Sequence, residues 1–167
     1  MKIGFLGSGN MAEALVKGVI AAGLYPARDI LVYDIRPERM RYMAETYRVA
    51  TASDAQDLVS RVHLAILAVK PQNFAGVLTE VRPVIDSKTV ILSIAAGVTT
   101  GRIASVLGDV PVIRVMPNTP ALVGEAASGL FSANASAEAL HAALRLFASA
   151  GKAVVVDSEG SLDAVTA

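Results

Sequence analysis

The sequence predicts an α/β fold, a doubly wound and mostly parallel sheet with helices on both faces. Three observations predict it. Short apolar, β-rich runs alternate with helical patterns along the 167 residues, the arrangement that yields βαβ units with right-handed crossovers. Runs such as Leu64-Ala65-Ile66-Leu67-Ala68-Val69 are continuously apolar, as a strand buried on both faces requires. The opening strand also leads straight into a glycine-rich turn and a helix-forming stretch.

In chain order, strands are expected at residues 2–6, 30–33, 48–50, 64–69, 89–93, 112–116, 128–131 and 153–156, and helices at 10–22, 37–46, 55–60, 73–85, 99–107 and 137–150. Pro37 and Pro71 suit first-turn positions, where a fixed φ helps and no N–H is needed. No repeat, low-complexity tract or internal linker interrupts the pattern. Residues 1–157 are expected to form one domain. Residues 158–167 are expected to begin a connection to a further part.

Composition narrows the function classes. Hydrophobic residues make up 53% of the chain and aromatics only 5%, so Ala, Val, Leu and Ile must build the core. Fifteen basic residues balance fifteen acidic ones, which gives no electrostatic case for nucleic acid or an anionic membrane. Without cysteine there is no disulfide, thiolate nucleophile or cysteine-ligated metal, and two separated histidines make no metal constellation. No apolar run approaches the roughly 18 residues that span a bilayer. A cytoplasmic location is expected.

The glycine-rich turn carries the chemistry. Gly7, Gly9 and Ala12 fill a Gly-x-Gly-x-x-Gly/Ala frame. Gly7 permits the tight turn, Gly9 lets a pyrophosphate approach the backbone, and Ala12 allows the helix to pack closely on the strand. The helix start presents backbone N–H groups and about half a positive charge to phosphates. A Rossmann-type dinucleotide site follows, with ligand groups at the carboxyl ends of the strands.

The remaining loops at those ends are more ambiguous. Asp34, after the second strand, suits hydrogen bonds from adenosine ribose hydroxyls and favours NAD. Arg36 could instead pair with a 2′-phosphate and favour NADP. The less favoured alternative is an exposed Asp and Arg that cap the helix beginning at Pro37. Lys70-Pro71 could meet a phosphate or be a solvated turn. The small residues of Ser93-Ile94-Ala95-Ala96-Gly97-Val98 could accommodate a flat ligand or simply pack. Pro117, Asn118 and Pro120 make a stiff loop whose Asn suits a carboxamide, although an unrelated rigid turn has the same composition.

Together, Gly7–Met11, Ala68–Gln72, Ser93–Val98, Arg114–Glu125 and Leu162–Ala167 resemble the N-terminal half of pyrroline-5-carboxylate reductase, in the family's order and across essentially the whole chain. The Met-Pro-Asn-Thr-Pro string is the most specific element. The resemblance implies hydride transfer from NADPH or NADH to the C=N carbon of 1-pyrroline-5-carboxylate, giving L-proline. It implies that Leu6, Gly7, Ser8, Gly9, Asn10 and Met11 hold the pyrophosphate, and that Asp34 and Arg36 meet the adenosine ribose. Ala68, Val69, Lys70, Pro71, Ala95, Ala96 and Gly97 would line the groove, with Pro117 and Asn118 near the nicotinamide. A protonated imine accepts hydride readily, so orientation and exclusion of water are the main protein tasks. No catalytic acid or metal ligand is singled out. His63 reads as structural and His141 as a surface residue.

The chain departs from the family pattern at Ala126, where Gly is frequent, and at Ala55, where Asn is frequent. It also stops where the family passes into an all-helical C-terminal domain. The resemblance implies that this domain supplies the homo-oligomer interface and most substrate contacts, so the chain alone is expected to be poorly active. Two alternatives are another imine or 3-hydroxyacid reductase of the 6-phosphogluconate dehydrogenase-like superfamily, and a non-catalytic nucleotide-sensing module.

Overall fold

A computed structural model describes residues 1–118 and 126–162. The expectations for 119–125, within the Met-Pro-Asn-Thr-Pro loop, and for 163–167 lie outside the described residues. Among the described residues eight strands form one sheet: β1 (Ile3–Leu6), β2 (Ile30–Tyr33), β3 (Ala50–Thr51), β4 (Leu64–Leu67), β5 (Val90–Ser93), β6 (Val112–Pro117), β7 (Ala126–Phe131) and β8 (Gly151–Val155). Their order is β3-β2-β1-β4-β5-β6-β7-β8. Neighbours pair in parallel, with Ile3 opposite both Ile30 and Leu64, except that β6 and β7 are antiparallel, with Val115 opposite Leu130. Residues 118–125 are too few for a parallel crossover, which takes about a dozen residues or more.

Among the described residues six α-helices cover the sheet: α1 (Asn10–Ala21), α2 (Pro37–Tyr47), α3 (Ala55–Arg61), α4 (Pro71–Val81), α5 (Thr100–Leu107) and α6 (Ala137–Ala148). Period-two alternation sends successive strand residues to opposite faces. On one face Phe5, Val32, Leu92, Ile113 and Leu130 meet Leu15 and Val16 of α1 and Phe147 of α6. On the other, Leu6, Leu31, Leu67, Ile91 and Val112 meet Leu58 of α3, Phe74 of α4 and Ile103 of α5. The unbroken apolar run of β4 is therefore a consequence of burial on both sides. α1 and α6 approach closely at Gly18, where an added Cβ would come within 2.6 Å of the Ser149 carbonyl oxygen.

Local chemistry accounts for most boundaries. Asp54, Thr99 and Ser136 cap α3, α5 and α6 by accepting the amides of Asp57, Arg102 and Ala139. The third strand begins at Ala50 rather than Arg48, because Arg48 adopts a left-handed conformation (φ 59°) and ends α2. α4 begins at Pro71, two residues before its expected start, with proline in the first turn. It ends at Val81, and Arg82–Val84 continues as a 3-10 turn containing Pro83, whose missing N–H cannot extend the helix.

Candidate functional site

The strand order reverses direction of growth at β1 and β4, and a doubly wound sheet opens its ligand crevice at that point, beyond the carboxyl ends. The Gly7 amide bonds the Tyr33 carbonyl on β2 (2.8 Å), while the Ala68 amide bonds the Leu6 carbonyl on β1 (2.8 Å). Gly7 has φ +95°, and a Cβ there would meet the Ala68 carbonyl oxygen at 2.6 Å. Both constraints demand glycine. Gly9 has an ordinary φ of −71°, yet nothing lies within 4 Å of where its Cβ would be. The fold does not need glycine at position 9, but a ligand packed against the backbone would.

Gly9 is also the N-cap of α1 and offers no side-chain cap. The first intrahelical bond runs from the Glu13 amide to the Gly9 carbonyl (3.0 Å), so the amides of Asn10, Met11 and Ala12 precede it in the first turn. Ala12 is fully buried beneath them, the close helix–strand packing expected at that position. An uncapped N-terminus beside an open space fits a pyrophosphate.

Asp34 follows β2 and is buried, with both carboxylate oxygens engaged. Oδ2 accepts the Ser8 amide (2.8 Å), the Ser8 hydroxyl (3.0 Å) and Arg36 Nη2 (3.1 Å), while Oδ1 accepts the Arg36 amide (3.0 Å) and Nε (2.9 Å). Burial alone would raise the Asp34 pKa. The donors of Arg36 and Ser8 outweigh it and hold the group down at about 2, so it is ionised at neutral pH. Asp34 and Arg36 are thus a bidentate pair, not independent determinants pulling in opposite directions. The Ser8 amide faces Asp34, which leaves the amides of the α1 first turn as the donors for an anion. Arg36 keeps half of its side chain in solvent.

A second polar network, not foreseen from the sequence, braces the same turn. Arg39 donates from Nε (2.9 Å) and Nη2 (2.6 Å) to the Ser8 carbonyl, and from Nη2 to Glu13 Oε2 (2.8 Å). Glu13 Oε1 also accepts the hydroxyls of Tyr42 (2.8 Å) and Tyr47 (2.9 Å). Burial pulls the Glu13 pKa up, but these donors outweigh it and the net shift is downward. Arg39 also lies 4.9 Å from the Tyr42 ring centroid. The available signal was an acidic residue in the first turn of α1. Nothing in the local sequence marks Arg39 as its partner.

The other expected residues fall along the same sheet edge, at the ends of β4, β5 and β6. Ala68 and Val69 are partly buried, whereas Lys70 and Pro71 are exposed at the start of α4. Ala95 is buried and its amide bonds the Ser93 hydroxyl (3.3 Å), while Ala96 and Gly97 are exposed, with Gly97 at φ +73°. Asn118 Oδ1 accepts the Ala127 amide (2.9 Å), and its own amide donates to the Ala127 carbonyl (3.1 Å). Its side-chain oxygen therefore extends the β6–β7 pairing. The Leu6 side chain is buried in the core, so only its backbone borders the turn.

His63 Nδ1 accepts the Lys2 amide (3.1 Å), a structural role. His141 is exposed on α6 and lines a shallow cavity with Met1, Tyr25, Glu138 and Arg145, at the amino end of β1. Among the described residues no cluster of three His, Asp or Glu could hold a metal, and no helix is long and apolar enough to cross a membrane.

Comparison with known proteins agrees with this geometry. A family model described as NADP oxidoreductase, coenzyme F420-dependent, matches residues 2–97. Pyrroline-5-carboxylate reductase of Haemophilus influenzae is 39% identical over 99% of this chain, which spans 61% of that relative's length. The solved pyrroline-5-carboxylate reductase of Coxiella burnetii superposes with a TM-score of 0.93 at 32% identity, covering 97% of this chain and 61% of that one. The Plasmodium falciparum pyrroline carboxylate reductase, solved with NADP bound, gives a TM-score of 0.86 at 25% identity, covering 98% of this chain and 60% of that one. The chain thus spans about 60% of the length of the relatives it matches.

Proposed function

Because the chain belongs to the NADP oxidoreductase, coenzyme F420-dependent family, we propose that it is the cofactor-binding domain of a pyrroline-5-carboxylate reductase, with residues 1–157 holding NADPH or NADH and residues 158–167 beginning the connection to a helical C-terminal part. One observation carries the reading. The uncapped start of α1 faces open space at Gly9, a position where the fold itself would accept a side chain. First-turn amides and the helix dipole favour a pyrophosphate there.

Each chain residue then has a task. Gly9, Asn10 and Met11 bind the pyrophosphate through the backbone, and Leu6, Gly7 and Ser8 shape the turn that presents them, the Gly7 amide being held by the Tyr33 carbonyl. Asp34 and Arg36 meet the adenosine ribose as a pair. A ribose hydroxyl reaches Asp34 by taking over contacts that the pair now makes internally, and a 2′-phosphate reaches the solvent-exposed side of Arg36. Ala68, Val69, Lys70, Pro71, Ala95, Ala96 and Gly97 line the groove and exclude water, and Pro117 and Asn118 border its nicotinamide end. When bound there, a reduced nicotinamide would supply hydride to the C=N carbon of 1-pyrroline-5-carboxylate already protonated on nitrogen, so that the nitrogen keeps its proton and L-proline results. We further propose a cytoplasmic protein that self-associates through the part of the relatives' length not spanned here.

Calorimetric titration of NADPH and NADH against the chain and its Gly9→Val variant tests the reading. Binding to the parent chain should weaken at least about tenfold in Gly9→Val, since the added side chain occupies the pyrophosphate space, while the melting temperature falls by no more than about 4 °C, the cost of a poorer N-cap. Equal affinity in the two proteins would overturn the placement of the cofactor.

A further inference from the structure

We infer that Glu159 is a positioning residue for the nicotinamide end of the groove, through its simultaneous grip on the β5–α5 loop and on β6. The inference rests on the cofactor reading above. Glu159 opens a 3-10 turn, Glu159–Ser161, that follows β8. Its Oε1 accepts the Thr100 amide (2.8 Å), and its Oε2 accepts the Thr100 hydroxyl (3.2 Å). Oε1 also lies 3.6 Å from Arg114 Nη1, within an ion pair whose arginine side chain is only 6% exposed. Leu162, just beyond, is fully buried and holds the turn against the domain.

Each partner leads into the proposed groove. Thr100 is the first residue of α5, so its amide has no acceptor within the helix and welcomes an anion. The segment immediately before it contains Ala95, Ala96 and Gly97. Arg114 lies on β6, opposite Ser93 of β5, and the same strand ends at Pro117 beside Asn118. One carboxylate, 59 residues away from Thr100 in sequence, therefore ties together the two walls that would flank a nicotinamide. The adenosine end hangs from other contacts, the Gly7–Gly9 turn and the Asp34–Arg36 pair. Loosening Glu159 should affect the nicotinamide end alone.

The distinguishing probe is 2′-phospho-ADP-ribose, which keeps the adenosine and pyrophosphate of NADPH and lacks the nicotinamide. Both ligands are titrated calorimetrically against the parent chain, Glu159→Gln and Thr100→Val, with melting temperatures measured alongside. Thr100→Val removes only the hydroxyl bond and serves if Glu159→Gln does not fold. NADPH affinity should fall roughly 5–10-fold in Glu159→Gln, the factor expected from one or two net hydrogen bonds, and less in Thr100→Val. Affinity for 2′-phospho-ADP-ribose should be unchanged in both. Equal losses for the two ligands, or no loss for either, overturn the inference and leave Glu159 a purely structural contact. If the parent chain binds the two ligands equally well, the assigned nicotinamide end is wrong and the inference goes with it. If it binds neither, the cofactor reading itself fails.

Discussion

Replacing Asp34 with Asn tests the charge logic of the site most directly. The substitution keeps the side chain's shape but removes the charge, and turns an NH2 donor toward donors from Ser8 or Arg36. The carboxylate's pKa falls from an ordinary 3.8 to about 2 in the fold, because the Arg36 and Ser8 donors outweigh the upward pull of burial. Such a drop corresponds to a ceiling of roughly 2.5 kcal/mol. Arg36 is half exposed, and solvent screening reduces the expected loss to about 1–2 kcal/mol. In a domain of this size that lowers the melting temperature by roughly 2–8 °C at pH 7. A lowered pKa stabilises the fold above its unfolded value, and the benefit fades as pH falls through the folded one. The difference between Asp34→Asn and the parent chain, measured by urea unfolding, should therefore be complete above about pH 5 and shrink steadily from about pH 4 toward pH 2. Equal stability at pH 7, or a difference that persists undiminished at the acid end, would refute the reasoning.

Two other substitutions separate fold from function around the same turn. Gly7→Ala should cost about 2–3 kcal/mol, seen as a lower urea midpoint, because it forces a Cβ at φ +95° to within 2.6 Å of the Ala68 carbonyl oxygen. Glu13→Gln should cost about 1–2 kcal/mol by the same measurement, since three donors converge on its carboxylate. Burial, and after it the hydrogen bond to Glu13, pushes the Tyr47 hydroxyl up to about 12. A spectrophotometric titration of Glu13→Gln should show one tyrosine ionising at lower pH than in the parent chain.

The Asp34–Arg36 pair changes how cofactor preference should be read. Two residues near the end of β2 look like competing determinants, one for a ribose diol and one for a 2′-phosphate. In the fold they neutralise one another, and Ser8 of the glycine-rich turn completes the cage. In the proposed reading, a ribose diol that engages Asp34 competes with this ion pair, whereas a 2′-phosphate meets the solvent-exposed side of Arg36. Asp34 is hydrogen-bonded to Ser8 of the glycine-rich turn, so a substitution at either is felt by the other.

What the sequence determined by itself was whatever depends on neighbours along the chain. Continuous apolar runs announced strands buried on both faces, because period-two alternation sends their side chains to two cores. Gly7, Gly9 and Ala12 marked the turn, because backbone freedom and close packing are properties of single residue types. Asp34, Arg36, Lys70 and Asn118 could be assigned to strand ends, because a parallel sheet puts its ligand loops at one edge. The tertiary structure alone decided what those polar groups touch. Asp34 meets Ser8 from a different βα unit, Arg39 reaches Glu13 across the α1–α2 interface, and Glu159 meets Thr100 and Arg114 from beyond the last strand. Such pairings are set by the geometry of side-chain donors and acceptors between elements far apart in sequence, a geometry that arises only when the sheet assembles.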